Sequence, residues 1–128
     1  TCTNAGKPVF DGSYVEPGMH ITQIARGEID ETTVRKSKVF TVWNQQILFD
    51  TPPMQPYGNM VDSGELKGDK VYELSDVVSG KIQGRESEET VTLCATQGTG
   101  VMDVAMGKWA YELAVEKGIG RSIEFLDI

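Results

Sequence analysis

Apolar positions mark out the elements of this chain. From Thr90 to Thr96 the run Thr-Val-Thr-Leu-Cys-Ala-Thr is rich in β-branched residues, the composition of a buried strand. Gln97-Gly98-Thr99-Gly100 breaks that run. From Val101 the apolar residues recur at helical spacing: Val101, Val104, Ala105, Trp109, Leu113 and Ala114. Thr99 is a candidate N-cap, Asp103 complements the positive end of the helix, and Lys117-Gly118 predicts its stop. Strand, glycine turn and long helix follow one another, which is where α/β proteins commonly hold a ligand.

The same reading upstream gives a strand from Met19 to Ala25, with Ile21 and Ala25 facing one way and His20, Thr22 and Ile24 the other. Gly27 to Ser37 predicts a short polar helix, with Asp30 or Thr32 near its start and Arg35 and Lys36 near its end. Lys38 to Trp43 is the next strand, apolar on both faces. Joins this short predict a right-handed parallel strand–helix–strand unit. Thr1 to Asn4 reads as the end of a strand, and Gly6-Lys7-Pro8, Asp11-Gly12 and Glu16-Pro17-Gly18 read as turns. Asn44 to Met60, with Pro52, Pro53 and Pro56, predicts an irregular segment. Val61 to Leu66 and Lys70 to Ser79 predict short helices or turns, Lys81 to Glu88 a polar crossover, and Ser122 to Leu126 a weak last strand. The fold expected is α/β: a partial parallel sheet of about three to four strands with packed helices, in a single domain over residues 1–128.

Composition narrows the partners. The net charge of −7 makes nucleic acid and anionic membrane surfaces poor partners, and no apolar run is long enough to span a bilayer. Cys2 and Cys94 make no disulfide framework and are read as thiols of a cytoplasmic protein. The lone His20 has no nucleophile at a fixed spacing and is read as a structural, hydrogen-bonded histidine; no metal-ligand spacing exists. Trp43, Trp109 and Tyr111 are read as core residues, and the acids of Glu86 to Glu89 as a solvated face. The glycine turn at 97–100 invites a phosphate reading, because free N–H groups at a helix start attract anions. The dinucleotide fingerprint, however, needs a third glycine where Asp103 stands, and the lysine of a P-loop is absent. A plain tight turn is the simpler account.

Residues in order along nearly the whole chain carry a resemblance. Glu73 to Lys81, Gly84-Arg85, Thr96, Gly98 and Asp103-Val104-Ala105, with Thr1 to Asn4, Pro8-Val9, Pro17 to Ile21 and Glu28-Ile29-Asp30 upstream, resemble the C-terminal segment of the ornithine cyclodeaminase/μ-crystallin family. The resemblance implies a nicotinamide-binding, Rossmann-like fold, with NAD or NADP lying across the carboxyl ends of parallel strands. By motif, Thr3 and Asn4 after one strand, and Thr96 and Gly98 after another, would line the nicotinamide end. The implied chemistry is cyclodeamination of ornithine, oxidation of alanine or reduction of cyclic imines, so the partner molecule is a small amino acid or imine.

The family's glycine fingerprint and its substrate-carboxylate domain belong upstream and are not among these residues. The acid it places after this strand has no counterpart where Arg26-Gly27 runs straight into Glu28. Glu28 and Asp30 are read as first-turn helix acids, and no catalytic residue is assigned. Two expectations follow. Either the chain is the C-terminal portion of an NAD(P)-dependent enzyme, not catalytic alone, or it is a stand-alone non-enzymatic module. In both, an unpaired sheet edge predicts a homo-oligomer or pairing with the missing N-terminal half.

Overall fold

A computed structural model describes residues 1–42, 55–67, 70–96 and 100–123. The chain divides into two compact units, Thr1–Gln97 and Gly98–Ile128.

The first unit holds four strands and three helices among the described residues: β1 (His20–Gln23), α1 (Glu31–Lys36), β2 (Lys38–Thr41), α2 (Tyr57–Asp62), β3 (Val71–Glu73), α3 (Leu74–Val78) and β4 (Thr92–Ala95). All pairings are parallel and the order is β1–β4–β2–β3. The expected parallel sheet is there, but β1 and β2 are not neighbours, because β4 lies between them. Register puts Ile21, Leu93, Val39 and Val71 in one row across the sheet, and Thr22, Cys94, Phe40 and Tyr72 in the next. Alternation along a strand sends these rows to opposite faces.

The first row faces the core. Val39, Val71, Leu93 and Ala95 pack with Ile29 and Val34 around α1, and with Tyr57, Met60 and Leu66 around α2. β4 is buried along its length, as a central strand should be. On the opposite face, Phe40, Leu74, Val77, Arg85, Cys94 and Thr96 are among the residues lining a hollow of 390 Å³. His20 stands on this face at the amino end of β1, its ring nitrogens 2.8 Å from the Thr92 hydroxyl and 3.1 Å from that of Thr22. The hydrogen bonds expected of it are there, one hydroxyl partner to each ring nitrogen.

Asp30 is the residue that starts α1. One carboxylate oxygen accepts the Thr33 N–H and hydroxyl, each at 2.8 Å, and the other accepts the Gly12 N–H at 2.8 Å. The helix cap is thereby tied to the turn at Gly12–Tyr14, and Lys36 closes the same turn by donating to the carbonyls of Gly12, Ser13 and Val15. Arg85 makes a second clamp, donating to the carbonyls of Gly18 (2.6 Å) and Thr90 (3.0 Å). Gly18 itself needs to be glycine: its φ is +81°, and a Cβ there would lie 2.6 Å from the Glu88 carbonyl.

Local differences from expectation have simple causes. Lys70 to Ser79 is part strand and part helix, β3 then α3, because three residues show no readable period. The segment expected to be irregular ends in the first turns of α2. Its residues 44–54, and Trp43, lie outside the described residues.

The second unit is α4 (Gly100–Glu116) with its C-terminal turn. Ile119 N–H bonds back to the Ala114 carbonyl and Gly118 N–H to that of Val115, with Gly118 at φ +63°. This is the glycine stop that Lys117-Gly118 predicts. Trp109 and Tyr111 stand on α4, and a lone helix offers them no core within that unit. Thr99 lies outside the described residues, as does most of the expected last strand; Arg121 to Ile123 form no strand.

Candidate functional site

Because the strands are parallel, their carboxyl ends share one edge, where open α/β sheets bind ligands. Three stretches meet there at the end of β1. Thr1 flanks it on one side: its nitrogen donates to the Thr22 carbonyl at 2.6 Å and its carbonyl accepts the Ile24 N–H at 3.1 Å. Bonds that straddle Gln23 in this way have the pattern of a parallel pairing, so the backbone of Thr1 lies beside β1. Thr96 flanks the other side, donating its N–H (2.8 Å) and its hydroxyl (3.2 Å) to the Gln23 carbonyl.

The third stretch is the turn after β1, and its organiser is Glu28. The side chain is wholly buried. One carboxylate oxygen accepts the Thr3 N–H and, at 2.6 Å, the Thr3 hydroxyl; the other accepts the Ala25 N–H at 3.0 Å. The Glu28 carbonyl also accepts the Val9 N–H, at 2.9 Å. Burial alone would push this carboxyl up. The hydrogen bonds from Thr3, Thr1 and Ala25 outweigh it and hold the pKa at about 2, so the group is ionised at neutral pH. Burial likewise pushes the Asp30 carboxyl up, and the hydrogen bonds it accepts from Gly12 and Thr33 outweigh it, so its pKa ends below the ordinary value.

Beneath this edge Gln23 is fixed from inside the core. Its Oε1 accepts the Tyr57 hydroxyl at 2.7 Å and its Nε2 donates to the Ala25 carbonyl at 2.9 Å.

Of the four residues that motif resemblance assigns to the site, Thr3 and Thr96 are brought to the same strand end, held by Glu28 and by the Gln23 carbonyl respectively. Asn4 follows Thr3 and is exposed. Gly98 lies outside the described residues. Glu28 is not a first-turn helix acid: α1 begins at Glu31, Asp30 is its cap, and Glu28 turns instead toward Thr3. The signal for this was in the sequence. Asp30 stands three residues before Thr33, the spacing of a capping acid, so Glu28 needed another partner. Gln23 and Tyr57 carry no motif and could not be found that way. Cys2 is exposed and Cys94 buried, both as free thiols; among the described residues no cluster of three potential metal ligands occurs.

A parallel sheet with helices packed on it, and polar loops at its carboxyl edge, defines an α/β protein of the Rossmann-like kind. The chain belongs to the ornithine cyclodeaminase/mu-crystallin family, whose model matches residues 1–118. It is 33% identical over 132 aligned residues to a Delta(1)-pyrroline-2-carboxylate reductase of Bacillus cereus, covering 98% of this chain and 39% of that protein. An archaeal alanine dehydrogenase dimer with bound NAD superposes with a TM-score of 0.73 at 30% identity, over 98% of this chain and 40% of the other. The iminosuccinate reductase of Paracoccus denitrificans in complex with NAD+ gives 0.72 at 27% identity, over 96% and 38%. The chain therefore spans about 40% of the length of the relatives it matches.

Proposed function

We propose that this chain supplies one wall of an NAD(P) site in a reductase or dehydrogenase acting on a small imine or amino acid. The observation that carries the reading is the placement of Thr3 and Thr96 around the carboxyl end of β1, one held by Glu28 and the other by the Gln23 carbonyl. The residues present suit a nicotinamide carboxamide, which needs short polar groups and accessible backbone where a strand ends. Thr3, Asn4, Thr96 and Gly98 are the residues that would hold the nicotinamide end. Bound there, the cofactor supplies or accepts a hydride. The chain's own part is to orient the ring and hold one side of it against the sheet edge. The NAD-bound dehydrogenase and reductase to which it is similar support this, as does the dimer among them for a homo-oligomer. No acid or base for the chemical step is assigned to these residues. The chain is proposed to be insufficient for catalysis alone.

The test is a titration with NADH and NADPH followed by tryptophan fluorescence or calorimetry, with the same sample run through size exclusion and light scattering. Saturable binding at micromolar cofactor is expected, and activity with cyclic imines or amino acids would be assayed next. Absence of binding at millimolar cofactor from a folded sample retires the reading. A stable oligomer in that case would point to a non-enzymatic assembly module instead.

A further inference from the structure

We propose that Glu28 fixes Thr3 as a hydrogen-bond acceptor toward the ligand, so that the site selects a carboxamide over a carboxylate on the nicotinamide ring; this deepens, and rests on, the cofactor reading above. A threonine hydroxyl has one proton and two lone pairs. Thr3 gives its proton to the buried Glu28 carboxylate at 2.6 Å, and one lone pair accepts the Ala5 N–H at 3.3 Å. What remains is a single acceptor position. Thr96 gives its proton to the Gln23 carbonyl, which also leaves only acceptor positions.

Two hydroxyls at one strand end therefore both lack a proton to offer. The amino group of a carboxamide is a donor and suits either one. A carboxylate brings lone pairs against lone pairs, with the negative charge of Glu28 directly behind Thr3. Glu28 is buried, so it acts through Thr3 and is a positioning residue. A carboxylate at this position is needed because it can only accept; its second oxygen is already occupied by the Ala25 N–H, which holds the turn in place.

The test compares NAD with nicotinic acid adenine dinucleotide, by calorimetry, on wild type and Glu28→Gln. Amide hydrogen exchange at Thr3, Ala25 and Leu93 is measured on the ligand-free proteins. Wild type is expected to prefer the carboxamide form by about tenfold or more. Glu28→Gln is expected to lose most of that preference, because the amide nitrogen, whichever way it turns, meets the N–H of Thr3 or of Ala25 and breaks the clamp that fixes the Thr3 hydroxyl proton. Faster exchange at Thr3 and Ala25, with Leu93 still protected, would show the clamp lost and the sheet intact. An unchanged ratio in that folded variant overturns the inference.

If Glu28→Gln unfolds, Thr3→Val takes its place, and a wild-type ratio there overturns the inference equally. Equal binding of both dinucleotides by wild type overturns this inference and leaves the cofactor reading standing. Failure of wild type to bind either one overturns both.

Discussion

The Tyr57 hydroxyl donates to Gln23 Oε1 at 2.7 Å, with both side chains closed off from solvent. The carboxyl end of β1 is thus held from within the core as well as from its neighbours in the sheet. Tyr57→Phe leaves that amide oxygen buried without its donor, an expected loss of about 1–3 kcal/mol. Thermal denaturation should show a midpoint lower by several degrees, with the far-ultraviolet spectrum unchanged. A variant as stable as wild type would mean that water or another donor replaces the phenol.

The same tyrosine sets an alkaline limit. Burial, and then the proximity of Cys94, push its pKa far above the ordinary 10.0. A folded-state pKa raised in this way contributes stability below the unfolded value and loses it as pH rises beyond that value. Wild type should therefore destabilise more steeply than Tyr57→Phe between about pH 9 and pH 11. Denaturation midpoints of the two proteins across that range check it; parallel curves would refute it.

Glu28 sets the acid limit with the opposite sign. Its folded pKa lies at about 2, below the ordinary 4.5, so its contribution is present above the unfolded value and is lost as pH falls from there toward the folded one. At neutral pH Glu28→Gln should melt below wild type. The gap should narrow as the solution is acidified from about pH 5 to pH 3. A gap that stays constant would mean that the carboxylate is not charged in the folded protein.

Gly12 is a glycine for want of space. It is buried, and an added Cβ would lie 2.6 Å from the Thr33 nitrogen and 2.8 Å from the Thr32 Cβ, and against the Asp30 carboxylate. Gly12→Ala should displace the cap of α1 and cost about 1–3 kcal/mol. Gly107→Ala, whose Cβ meets nothing within 4 Å on α4, should instead favour that helix by about 0.5–1 kcal/mol. Urea denaturation separates the first effect, and helical ellipticity the second.

The spacing of apolar positions carried β1 and α4, β-branched composition carried β4, an apolar run carried β2, and the polar and charged residues at its two ends carried α1. What none of these could carry was adjacency. The placement of β4 between β1 and β2 depends on pairing residues some seventy positions apart, and nothing in either segment states it. β3 was lost because Val71 to Glu73 is too short to alternate. At the candidate site the threonines were legible through motif resemblance. Glu28 was misread because an acid beside a helix start has an easy local account, and its true partner, Thr3, lies twenty-five residues away.

The strand order has a consequence for how this chain is made. β4 comes last of the four in sequence and occupies an interior place, hydrogen-bonded to both β1 and β2. Until residues 92–95 leave the ribosome, β1 has no strand partner from β2 or β3, and one flank of β2 is open. Closing that gap joins segments far apart in the chain, which is slow compared with forming a helix. Synthesis that stops before Thr92 should therefore yield a product with unpaired strand flanks, open to chaperones and to its own copies. Completion of β4 pairs the inner flanks of β1 and β2 at once.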